Sequence, residues 1–123
     1  MLSLDKTWDR LKHHIEAALK YAHDSHSVQD VWDAIQEGTA QFFPFEKSVI
    51  VTEIIDYPNK AVCIIWLAGG DMKELLYGEQ VVADWAKSLG CAGIEIIGRK
   101  GWEKVLKDYD PASIVLIKEF KDV

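Results

Sequence analysis

The sequence predicts an α/β fold, strictly α+β: two amphipathic helices, a three-stranded antiparallel meander, then β-α-β-α-β with a parallel central pair. Three observations predict it. Apolar residues recur every three or four positions through residues 3–37, the period of a helix packed on one side. From Thr39 the text turns to β-branched and aromatic runs split by short Pro- and Asn-containing connections, which can join only antiparallel neighbours. Beyond Gly70, helix-like and strand-like runs alternate, as in units where a crossover helix links parallel strands. With 123 residues, 49% hydrophobic, and five tryptophans, one domain over 1–123 is expected, because half this length would make too small a core.

The first helix runs from Ser3 to about His23 with Leu4, Trp8, Leu11, Ile15, Leu19 and Ala22 on one stripe. Ser27 with Asp30 forms a capping-box pattern for the second, whose buried face is Val28, Val31, Trp32 and Ile35 and whose stop is Gly38. Thr39–Phe43, Lys47–Ile55 and Lys60–Ala68 make the meander, and Ala61–Leu67, polar only at Cys63, should be covered on both faces. After a Gly69-Gly70-Asp71 turn, Leu75, Val82, Trp85 and Leu89 mark a third helix that ends at Gly90. Ala92–Ile97 is the next strand, parallel to Ala61–Ala68. Trp102, Val105, Leu106 and Tyr109 define a fourth helix, and Ser113–Phe120 a final strand, antiparallel at an edge. Trp66, Trp85 and Trp102 are expected in the core.

Charge and cysteine usage narrow the function classes. A net charge of −6 and a pI near 5.1 disfavour a phosphate-gripping surface, because nucleic acid and anionic lipid need clustered Lys and Arg. Cys63 and Cys91 sit in apolar text without Cys-x-x-Cys or Cys/His spacing, so two buried reduced thiols are expected. No run of about 18 apolar residues suggests a membrane span, and Asp5, Lys6, Asp9 and Arg10 stand where a signal peptide would be apolar. The expectation is a soluble protein made in a cytoplasm, with no metal, nucleic-acid or membrane partner.

Two successive strand-to-helix turns put two strand carboxyl ends side by side, the usual ligand position of an open α/β sheet. At the first, Asp71 and Glu74 form a capping-box pattern, so the amides that would hold an anion are already met by carboxylates. Glu53 and Glu95 lie in otherwise apolar strands, where burial raises the cost of ionisation and makes each a candidate general base. His23 and His26 lack a third ligand. Phe42, Phe43 and Phe45 flank Pro44 at a hairpin tip and are candidates for a partner surface.

The element order resembles that of the GNAT N-acetyltransferase superfamily over nearly the whole chain. That resemblance implies acetyl-coenzyme A bound by its pyrophosphate on a glycine loop, here Ala68-Gly69-Gly70-Asp71-Met72-Lys73-Glu74. It would assign cofactor contacts to Gly69, Gly70 and Lys73, with Arg99 and Lys100 from the second turn. The family's thiolate-protonating Tyr, four residues after an Ala in the fourth helix, aligns with Leu106 when Trp102 takes the place of that Ala. Val51-Thr52-Glu53-Ile54, Trp66-Leu67-Ala68-Gly69-Gly70-Asp71, Gly90-Cys91 and Gly98-Arg99-Lys100-Gly101-Trp102-Glu103 are similar to small proteins encoded among phage and prophage structural genes, GNAT-like in fold and without established acetyltransferase activity. The two resemblances imply a non-catalytic virion-associated or assembly protein without a cofactor. Its partners would be phage structural proteins, and it would act in the bacterial cytoplasm or the virion, with a homo-oligomer allowed. The alternative is an acyl-CoA-dependent N-acyltransferase with Glu53 or Glu95 as base. Arg99 is expected to turn toward Asp71 or Glu74 and close the cofactor gap with an ion pair.

Overall fold

A computed structural model describes residues 4–98 and 101–120. The elements are α1 (Leu4–Leu19) with a 3-10 turn (Lys20–Ala22), α2 (Val28–Glu37), β1 (Gln41–Pro44), β2 (Ser48–Asp56), β3 (Ala61–Gly70), α3 (Met72–Ser88), β4 (Gly93–Ile96) and α4 (Gly101–Val105). The four strands form one sheet in sequence order. β1, β2 and β3 are antiparallel, and β3 pairs with β4 in parallel. The expected fold class therefore stands, with the meander and the parallel pair in place, although that pair lies at one side of the sheet with β4 at its edge.

The helices sit where their stripes require. On one face of the sheet, Trp8, Leu11, Ile15 and Leu19 of α1 and Val31 and Trp32 of α2 pack on Val49, Val51 and Leu67. On the other, Leu75, Val82 and Ala86 of α3 pack on Ile50, Cys63 and Ile65. Alternate residues of β2 thus feed opposite layers, as strand geometry demands. Ser27 caps α2 with a full reciprocal box: its hydroxyl accepts from Asp30 N at 3.1 Å and its own N donates to the Asp30 carboxylate at 2.9 Å. Gly38 closes the helix at φ +84°, a conformation that favours glycine.

Three expectations need correction. Ser113–Phe120 is not a strand: it pairs with nothing among the described residues, and every residue in it is exposed. An apolar, β-branched run specifies strand character but becomes a strand only against a partner edge. Gly69 and Gly70 are not a turn, because β3 continues through them, paired with Val49 and Ser48. The fourth helix stops at Val105, and Tyr109 lies in the turn beyond it. Trp66, Trp85 and Trp102 are mostly buried, as expected, and pack at the margins of the two core layers. The deeply buried indoles are Trp8 and Trp32, stacked with centroids 4.8 Å apart, because the two-helix layer covers the sheet more completely than α3 and the short α4.

Candidate functional site

The site arises from one irregularity in the sheet. Val51 pairs with Leu67 but Thr52 with Ile65, so Trp66 has no opposite residue and forms a β-bulge. The extra residue reverses the alternation of faces along β3: Ile65 belongs to the α3 layer and Leu67 to the α1 layer. Parallel pairing with β4 ends at Ile65 opposite Ile96, directly before the bulge. Past that point the two chains separate and leave a cleft of about 50 Å³. Trp66 and Ala68 line one side, Ile96 and Ile97 the other, and Trp102 and Glu79 lie across it. Trp102 packs closely on Gly98, where an added Cβ would lie 3.2 Å from the indole. The cleft is predominantly apolar, and Glu79 is its one acidic side chain among the described residues.

At the mouth, the end of β3 is tied to the rest of the protein. Asp71 caps α3 by accepting from Glu74 N at 3.0 Å, but the capping box expected here does not close on itself. Glu74 instead accepts from Lys47 N at 2.8 Å, and Asp71 N donates to the Ser48 hydroxyl at 2.9 Å. The two glycines serve the same joint. A Cβ on Gly69 would lie 3.0 Å from the carbonyl oxygen of His14, and one on Gly70 would lie 2.4 Å from that of Lys47. Gly70 also has φ +127°. These glycines admit the protein's own backbone at the place where a phosphate cradle would need open amides. Burial against this joint, with the neighbouring His13 second, lowers the His14 pKa against a smaller opposing effect of the Lys47 backbone.

The remaining candidates scatter. Lys73 is exposed on the first turn of α3. Arg99 and Lys100 lie outside the described residues, and so does the ion pair expected of Arg99. Glu53 is half-buried and Glu95 exposed, and both sit opposite Ile64, on β2 and β4 respectively. The sheet thus sets them in one row on one face, two strand spacings or roughly 10 Å apart along it, and neither lines the cleft. Phe42 packs edge-on to Trp8, Phe43 to Trp85 and Phe45 to Tyr77, so all three aromatics make contacts inside this chain. His26 lies edge-on to Trp66, and no group of three metal-ligating side chains occurs among the described residues.

Sequence reading missed Glu79. The Tyr109 hydroxyl donates to its Oε1 at 2.8 Å, and burial followed by this bond drives the phenol well above its ordinary pKa. Tyr109 therefore stays a neutral donor turned toward α3, while Leu106, buried, faces the cleft in its place. Glu79 falls on the α3 stripe four residues after Leu75, a charged interruption of an apolar face that could have flagged it. Cys63 is buried in the α3 layer, and burial first, then Cys91, pushes its thiol up to about 11. It is not a nucleophile at neutral pH.

Solved structures match this overall fold in three dimensions. The Thermus thermophilus protein TTHA1254 superposes with a TM-score of 0.63 at 16% identity, covering 96% of this chain and 93% of that one. A tetramutant of BH1408 from Bacillus halodurans gives 0.58 at 14% identity, over 100% and 99%. An acetyltransferase of Trypanosoma brucei gives 0.54 at 12% identity, over 89% and 94%. No known family profile matches the chain. No curated protein matches it in sequence. At these identities the likeness defines the class of fold, which is GNAT-like.

Proposed function

We propose that this chain is a non-catalytic interaction protein on a GNAT-like scaffold, with the glycine loop converted from a cofactor cradle into a packing joint. One observation carries the reading: Gly69 and Gly70 are pressed against His14, Lys47 and Ser48, while the Asp71 and Glu74 carboxylates hold Glu74 N and Lys47 N. A pyrophosphate does not fit there without breaking those contacts, and two carboxylates beside it would repel a dianion. The partners would be other proteins. Within that class, the sequence's similarity to small phage-encoded proteins favours a structural or assembly partner in a phage particle, which purified particles would contain.

A second reading, an acyl-CoA-dependent N-acyltransferase with an atypical phosphate site, draws on the bulge at Trp66 and the apolar gap beside it. Titration with acetyl-coenzyme A separates the two. At about 1 mM ligand, a Kd near 10 µM would stabilise the fold by about 2.7 kcal/mol and raise Tm on the order of 10 °C. The expected result is no heat of binding and no rise in Tm. Saturable micromolar binding would overturn the non-catalytic reading.

A further inference from the structure

The exposed segment 113–120 and the outer edge of β4 are two halves of a missing strand pairing. We propose that two copies of this chain exchange them, the segment of each pairing with the β4 edge of the other. The result would be a two-fold dimer in which both sheets gain a fifth strand.

β4 ends the sheet, so among the described residues only its inner edge is paired. Natural edges are blunted by charged side chains, especially Lys, by Pro, or by shortness. β1, the other edge, ends at Pro44, whereas Gly93-Ile94-Glu95-Ile96 has no Pro or Lys and a single charge, Glu95. The segment has the opposite defect. Ile114, Val115, Leu116, Ile117 and Phe120 are 81%, 66%, 86%, 52% and 73% exposed. Three of the five are β-branched, and the unbroken run Ile114–Ile117 suits a strand covered on both faces. A contiguous apolar surface of this kind on a small protein marks a contact.

A second copy is the occupant because one chain carries both the uncovered edge and the unpaired strand, so a two-fold axis satisfies both at once in each copy. Within one copy the segment does not pair with this edge among the described residues. Leu106 is buried and Tyr109 is held on α3 through Glu79, which leaves residues 110–112, with Pro111, to bridge from the helix layer. Three residues reach at most about 10 Å. In trans the added strand would run beside β4 and cover Ile97, 65% exposed at the cleft mouth. The partner would thus supply the outer wall of the cleft. The inference stands whether or not the cleft takes a cofactor.

Sedimentation of the whole chain up to about 200 µM, with amide exchange at low and high concentration, tests the exchange. Expected are a dimer and slow exchange at residues 114–117 that appears only as the dimer forms. Leu116→Lys should raise the dimer dissociation constant at least about tenfold and leave the dilute protein's melting unchanged, since Leu116 makes no buried contact within one copy. A chain that stays monomeric overturns the proposal, whether its segment is protected by pairing in cis or exchanges freely. A dimer indifferent to Leu116→Lys overturns it too.

Discussion

Replacing Gly70 with Ala separates a packing joint from a ligand cradle without any ligand present. Gly70 has φ +127°, a backbone region that costs a non-glycine residue about 1–3 kcal/mol. The new Cβ would also lie 2.4 Å from the Lys47 carbonyl oxygen and 2.5 Å from Ser48 Cα, both backbone atoms that cannot swing aside. Overpacking of that kind costs about 1–3 kcal/mol more, so Gly70→Ala should destabilise by roughly 2–6 kcal/mol. That is a large share of a small domain's stability, and the urea midpoint should fall by at least about 1 M. Gly38→Ala is the control: φ +84° with nothing within 4 Å of the added carbon, so only backbone strain of about 1–2 kcal/mol applies. If Gly70→Ala unfolds no earlier than Gly38→Ala, the joint at the end of β3 is not tight, and the glycines are free to serve a ligand.

Trp8→Ala should cost about 3–5 kcal/mol, because Trp8 is 6% exposed and stacks on Trp32. Trp85→Ala should cost clearly less by the same denaturation series, since Trp85 is less deeply buried than Trp8 and its ring partner is Phe43; equal losses would show the two layers equally packed. For Cys63, a folded pKa raised from 9.0 to about 11 means the native state holds the proton longer than the unfolded chain. Its contribution is therefore complete below pH 9 and lost as pH rises from 9 to 11. Tyr109 adds a loss of the same sign above its ordinary 10.0. Melting temperature should decline over this range, and Cys63→Ala should flatten the part between pH 9 and 10; an unchanged slope would show the thiol is not the group responsible.

The element order and the two helix stripes were legible because amphipathic period is a local property: Trp8, Leu11 and Ile15 announce a buried face whatever lies beneath it. The box of Ser27 and Asp30 was equally legible, since both partners lie within one turn. At Asp71 and Glu74 the same local pattern misled. There Ser48 and Lys47 arrive from β2, 23 and 27 residues away, and compete for the same groups. The bulge at Trp66 left no sequence mark, because it is a mismatch of register between β2 and β3 and belongs to neither strand alone. Glu53 and Glu95 shared a row only once both strands flanked Ile64.

The sequence by itself thus determined α1, α2, α3 and the central parts of β1 to β4, which helix faces turn inward and where α2 begins and ends, since each depends on residues a few positions apart. Tertiary structure alone decided where the parallel strands part, what the glycines of β3 touch, and that Glu79 receives the Tyr109 hydroxyl. It also decided that Ser113–Phe120, with its largely β-branched run Ile114–Ile117, remains unpaired within one copy among the described residues. Backbone pairing needs a partner edge at hydrogen-bonding distance, and only the assembled sheet determines whether one is within reach.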